Sequence, residues 1–141
     1  MQLKVKRLTD TAKLPVRAHP DDSGADIFSD DVTHVIDPGE RRLVSTGIAA
    51  TVCHGLDIQF VDKSGLAWKK GITVLGGLID TAYRGELKVI LFNSGKEPYT
   101  VEHGSKLTQV VVRPVVYSEI VEVDELDDTV RDVGGFGSTG V

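Results

Sequence analysis

Apolar and β-branched residues gather along this chain in short runs, at 3–8, 43–52, 56–61, 86–92, 107–116 and 118–123. Between the runs lie Asp37-Pro-Gly-Glu40, His54-Gly55, Asn93-Ser-Gly-Lys96 and His103-Gly-Ser105. In these turns glycine supplies positive φ and proline fixes φ near −65°. Short strands separated in this way predict an all-β sandwich or barrel. A single short helix is expected over 64–70, where Ser64 is a fair N-cap and Leu66-Ala-Trp-Lys-Lys70 lacks any β-branched residue. Residues 124–129 are acidic and poor in apolar side chains, so they read as a hinge leading to a glycine-dense arm. The chain has no internal repeat. The expected organisation is one domain over 1–141, with a β body at 1–123 and a hinge plus C-terminal arm at 124–141.

A chain of 141 residues is long enough to bury a core without cross-links. Its net charge of −5 gives no electrostatic reason to expect a nucleic-acid polymer or an anionic membrane as partner, although a site can still be locally basic. Cys53 is the only cysteine, which excludes an internal disulfide and a cysteine-rich metal site. The N-terminus lacks the apolar core of a signal peptide, and no stretch reaches the roughly 18 apolar residues of a membrane span. A soluble intracellular protein is the expectation.

Three segments carry more chemistry than a β scaffold needs. The tail Arg131-Asp-Val-Gly-Gly-Phe-Gly-Ser-Thr-Gly-Val141 combines a guanidinium, flexible backbone, one ring and two hydroxyls. These groups can hold a nucleotide, because glycine lets N–H groups turn toward an anion and arginine pairs with phosphate in a fork. The same composition also suits a plain polar terminus. In the hairpin-like segment 76–85, Asp80 lies among apolar residues with Tyr83 three positions on. It can cap a turn, or act as a general base toward water. Lys63-Ser-Gly-Leu-Ala67 opens the helix, either as an ordinary N-cap or as a place where free N–H groups meet phosphate. The histidines at 19, 34, 54 and 103 fall at no metal-ligand spacing.

In order, these segments resemble the five motifs of the trimeric dUTPase family, from about residue 22 to the C-terminus. Ser23-Gly-Ala-Asp-Ile27 with Ser29 is similar to the first and Lys63-Ser-Gly-Leu-Ala67 to the second. Gly77-Leu-Ile-Asp-x-x-Tyr-Arg-Gly-Glu86 resembles the third, Gly104-Ser-Lys-Leu-Thr-Gln109 the fourth, and Gly134-Gly-Phe-Gly-Ser-Thr-Gly140 behind Arg131 the fifth. Pro38-Gly-Glu40 through Thr46-Gly-Ile48 matches the connecting segment. Five matches in order are far more specific than any one. The sequence departs from the family where Asp62-Lys63 replaces the usual Pro-Arg, where Ala82 replaces a common aspartate, and where Asp132 replaces a common glycine.

The resemblance implies a jelly-roll-like β fold and a homotrimer whose three active sites are shared between subunits. It implies hydrolysis of dUTP to dUMP and pyrophosphate, which limits uracil in DNA and supplies dUMP, with Asp80 activating water toward the α-phosphate. Gly77, Leu78, Ile79, Tyr83 and Lys88 are then expected at uracil and deoxyribose, with Phe136 stacking on the base. Lys63, Ser64, Gly65, Gln109, Arg131, Gly137, Ser138 and Thr139 are expected at the phosphates. Mg2+ is the implied metal, with Asp26 orienting its waters. A dCTP deaminase-related enzyme would need a different acid-base set, and the complete tail favours the diphosphatase. A nucleotide-switched regulatory binding protein on the same fold stays open, because a bound nucleotide would order the same tail.

Overall fold

The structure is a computed structural model and describes residues 2–135. In chain order its elements are β1 (Lys4–Arg7), β2 (Ala25–Phe28), β3 (His34–Ile36), β4 (Arg41–Val44), β5 (Ile48–Thr51), β6 (Leu56–Val61), α1 (Ser64–Lys70), β7 (Ile72–Leu75), β8 (Leu78–Ile79), β9 (Val89–Asn93), β10 (Tyr99–Val101) and β11 (Lys106–Pro114). All strand pairs are antiparallel and form four small sheets, β1-β5, β10-β3, β2-β11-β6-β8 and β4-β9-β7.

Each sheet turns one face to the same core. Ile48 comes from the first, Ile36 and Val101 from the second, Ile27, Ile58, Phe60 and Val110 from the third, and Val44, Ile72, Val89 and Leu91 from the fourth. A buried side chain of this size contributes about 2 kcal/mol, so the shared core joins strands too short to stand alone. The result is a distorted jelly-roll-like β barrel with one helix among the described residues; the runs predict an all-β sandwich or barrel, and the resemblance implies the jelly-roll form.

Several boundaries differ from the sequence reading, each for a physical reason. The run 43–52 is not one strand. It breaks at Gly47, whose φ of 65° is left-handed, and the Glu86 carboxylate accepts the N–H groups of Thr46 and Gly47 there. The chain thereby passes from the sheet of β4 to that of β5. The run 86–92 pairs only from Val89 onward. The run 118–123 forms no strand and lies exposed, because its β-branched residues meet no partner strand among the described residues. Strands β2, β3, β7, β8 and β10 fall outside the runs and are only two to four residues long.

Ser64 is not the cap of α1 but its first residue. Lys63 takes the N-cap position with extended backbone and no side-chain cap, while Gly71 closes the other end at a φ of 68°. Among the described residues, no helix is long and apolar enough to cross a membrane.

Candidate active site

Residues 77–88 fold into a hydrogen-bonded cradle. Phe60 donates its N–H to the Gly77 carbonyl at 2.8 Å. A Cβ at Gly77 would stand 2.7 Å from the Phe60 carbonyl oxygen, so this approach requires glycine. Leu78 and Ile79 then pair with Gln59 and Ile58. Asp80 follows with an exposed side chain, and its carbonyl accepts the Tyr83 N–H at 3.0 Å. The Tyr83 hydroxyl donates to the Glu86 carbonyl at 3.0 Å. Its ring lies over Gly85, where a Cβ would meet the phenol oxygen at 2.3 Å. Arg84 closes the turn by donating to the Thr81 and Tyr83 carbonyls at 2.6 and 2.8 Å.

Against this cradle lies an open pocket of about 330 Å³, lined by Leu43, Leu78, Ile79, Asp80, Tyr83, Glu86, Leu87 and Lys88. All the described hairpin residues expected at a nucleoside lie at this pocket or, for Gly77, in the strand entry beside it. Three lining residues escaped the sequence reading. Leu43 reaches the pocket only because β4 pairs with β9, Glu86 reads as a strand start, and the buried Leu87 follows it. The Glu86 carboxylate lies 3.6 Å from the Lys88 ammonium while its other oxygen holds the turn at Thr46 and Gly47.

A second cluster forms where β2, β11 and β6 lie side by side. The register sets Asp26 opposite Gln109, and Gln109 opposite Val61. A register shift between Lys106 and Thr108 reverses the alternation of β11. Leu107 and Val110 therefore both enter the core while Gln109 faces outward. The Gln109 amide donates to the Asp62 carbonyl at 2.9 Å. Gly24 leaves it room, since a Cβ there would stand 2.4 Å from the Gln109 side-chain oxygen.

Asp26 is 7% exposed. Its carboxylate pairs with the Lys63 ammonium on one oxygen and with the Lys106 ammonium at 2.7 Å on the other. Burial alone would raise its pKa, but hydrogen bonds and charge from Lys106 and Lys63 prevail and hold it below its ordinary 3.8. Lys106 is thus a member of the cluster that sequence reasoning missed; its place three residues before Gln109 in the fourth motif was the available signal.

Asp62 also finds a role, accepting from the Val74 N–H and the Thr73 hydroxyl at 2.7 Å each. It fastens the segment after β6 to β7, which explains a carboxylate where proline is usual. Ser64 and Gly65 are exposed on the first turn of α1, and a Cβ at Gly65 would meet nothing within 4 Å.

The two clusters do not meet within one chain. Asp80 lies one step past the Ile58–Ile79 pair, level with Asp57, whereas Gln109 is level with Val61. Four residues of strand separate the two levels by about 13 Å, and the two residues stand on strands either side of β6, about 10 Å apart in that direction.

At the start of the arm, Arg131 donates to the Gly134 carbonyl at 2.8 Å and Asp132 holds a φ of 44°, a left-handed conformation that glycine adopts without strain. Phe136, Gly137, Ser138 and Thr139 lie outside the described residues. Among the described residues, no group of three or more His, Cys, Asp or Glu side chains could hold a metal ion.

The dUTPase family model matches residues 10–140. The deoxyuridine 5'-triphosphate nucleotidohydrolase of Alkaliphilus metalliredigens (strain QYMF) is 50% identical over 141 residues, covering 99% of this chain and 97% of that protein. The enzyme of that name from Nautilia profundicola is 46% identical over 143 residues, covering 99% of each. Among solved structures, the dUTPase of Staphylococcus bacteriophage 80alpha with dUPNHPP superposes with a TM-score of 0.90 at 28% identity, covering 99% of each chain. A mutant dUTPase from phage phi11 of S. aureus, described as coordinating a structural Mg(II) ion, has a TM-score of 0.82 at 26% identity over 91% of this chain and all of that one.

Proposed function

The chain belongs to the dUTPase family, and from that membership we propose how its residues divide the work of hydrolysing dUTP to dUMP. The observation that carries the proposal is the exposed carboxylate of Asp80 at the rim of a pocket of nucleoside size. Uracil and deoxyribose enter this pocket. The backbone of residues 77–79 reads the pyrimidine edge, because a base with the wrong donors and acceptors leaves buried polar groups unpaired. Tyr83, fixed by its bond to the Glu86 carbonyl, lies under the sugar and leaves no room for a 2′-hydroxyl.

Asp80 accepts a proton from water as the water oxygen bonds to the α-phosphorus. The bond from that phosphorus to the bridging oxygen breaks, and its electron pair leaves with pyrophosphate. Lys63, Ser64, Gly65 and Gln109 hold the α- and β-phosphates. Arg131, Gly137, Ser138 and Thr139 close on the γ end, with Phe136 stacked on the base. The exposed acidic stretch before Arg131 serves as the hinge of this arm.

The separation of Asp80 from Gln109 supports sites shared between subunits. A base at the α-phosphorus and a donor to the same phosphate must stand within a few ångströms of each other, so the two clusters of one site come from different chains of a homotrimer. Shared sites closed by an arm also exclude water better than an open hairpin.

The donor set fits Mg2+ carried by the substrate. Asp26, already engaged by two ammonium groups, would hold such a metal through its waters. The ion, bound to phosphate oxygens, would neutralise the charge of the triphosphate.

Pyrophosphate release measured with dUTP, dTTP, dCTP and UTP tests this reading. Strong release from dUTP that a chelator abolishes, with little from the other three, is expected. Equal rates on all four would overturn the assigned pocket.

A further inference from the structure

Thr81 stands next to Asp80 and directly beyond the end of a ladder. The pairs Ile58–Ile79 and Gln59–Leu78 set the register of β8 on β6, and two more steps bring Thr81 opposite Leu56. No backbone pair forms there. The Thr81 hydroxyl donates to the Leu56 carbonyl instead, so a side chain extends the ladder past the residue that carries the carboxylate.

The single hydroxyl proton of Thr81 is spent on Leu56. The Tyr117 hydroxyl, 3.1 Å from the Thr81 oxygen, must therefore be the donor in that bond. The Tyr117 ring stacks on the His54 ring, with centroids 4.8 Å apart and planes inclined by 30°. Val115 donates to the Gly55 carbonyl at 2.9 Å, which holds the exit of β11 along the turn that bears His54. Tyr117 belongs to the chain leaving the barrel toward the C-terminal arm. The same contacts therefore join the root of the arm to the turn of Asp80.

We propose that Thr81 and Tyr117 are positioning residues for Asp80, forming a hydrogen-bonded relay that fixes the catalytic turn from behind and ties it to the root of the arm. The relay does not touch substrate. Neither Thr81 nor Tyr117 lines the nucleoside pocket; both line a second pocket of about 570 Å³ together with His54 and Arg84. Leu78 and Asp80 border both. Its exposed carboxylate is aimed by its backbone, and the backbone is held by the Ile79 pair before it, the Tyr83 N–H within the turn, and Thr81 after it. Loss of the last anchor leaves the pocket intact but loosens the direction of the base, and small misplacement of a reacting group is costly.

The inference rests on Asp80 being the base, so Asp80→Asn is measured in parallel to separate failure of that assignment from failure of the relay. Thr81→Val removes the hydroxyl at nearly constant shape. It should lower kcat on dUTP about tenfold with KM within about twofold, and Thr81→Ser should restore most of the loss. Tyr117→Phe, at a half-exposed ring, should lower kcat by a smaller factor without a fall in melting temperature. Combined with Thr81→Val it should add almost nothing, since both act through one chain of bonds. Parental kcat in Thr81→Val, or a loss confined to KM, would overturn the relay while an inactive Asp80→Asn left the base in place. So would no rescue by Thr81→Ser, or full additivity with Tyr117→Phe.

Discussion

A Cβ at Gly77 would meet the Phe60 carbonyl oxygen at 2.7 Å, whereas one at Gly65 would meet nothing within 4 Å. The first glycine is demanded by the chain's own packing; the second is not, and in the proposed site its open space takes a phosphate. Gly65→Ala should therefore fold at least as well as the parent, because alanine is favoured over glycine in a helix by up to about 1 kcal/mol. It should nevertheless raise KM about tenfold, equal to about 1.4 kcal/mol. A thermal melt and a substrate titration check the two halves, and an unchanged KM would remove Gly65 from the phosphate site. Asp80→Asn keeps shape but not basicity, so kcat should fall by roughly 10² to 10⁴, about 3 to 5 kcal/mol of barrier. Turnover within a few-fold of the parent would show that the base is elsewhere. That Asp80 and Gln109 are candidate site residues was legible in the sequence, because the motif resemblance singles out both, and the structure sets one at a pocket and the other in a polar cluster. The contacts of Lys106, Leu43, Glu86 and Thr81 were not, even for those that lie within the motif segments. Each acts through a partner across a sheet or turn, and strand register is invisible until the strands are paired.

At the scale of elements, apolar runs located β1, β6, β9 and β11 well, since each strand lies largely within one continuous run. They failed where a polar residue had a structural task inside a strand. Asp26 sits in β2 as the anion between Lys63 and Lys106, which breaks the apolar pattern while tying α1's entry to β11 and β2. This bridge has a pH signature. The Asp26 pKa is depressed in the folded state, so its stabilisation is present above the ordinary carboxylate value and is lost as pH falls below about 3.8. Lys106→Met removes one partner and leaves burial less opposed. The Asp26 pKa should rise, and acid unfolding followed by circular dichroism should begin at higher pH than in the parent. An identical acid limb in both proteins would show that the bridge contributes no pH-dependent stability. The run 118–123 failed for the opposite reason, because strand-forming residues without a strand to pair with stay extended and exposed.

For the molecule as a whole, the core closes within one chain, whereas the proposed active site draws on more than one. The barrel brings every sheet to one set of buried aliphatic side chains, yet it holds Asp80 and the Gln109 cluster apart on either side of β6. The most direct test of shared sites mixes two inactive proteins that each fold. Asp80→Asn lacks the base. Ser64→Glu places a carboxylate on an exposed first-turn position, where a helix tolerates it, and repels the phosphates. When equal amounts are unfolded together and refolded, about three quarters of trimers contain both parents, and cyclic assembly gives each of these one site with an intact hairpin and an intact phosphate cluster. The account predicts that roughly a quarter of the parental pyrophosphate release from dUTP returns on mixing. No recovery, with mixed trimers verified by mass, would mean that both clusters of each site belong to one chain and would contradict the account.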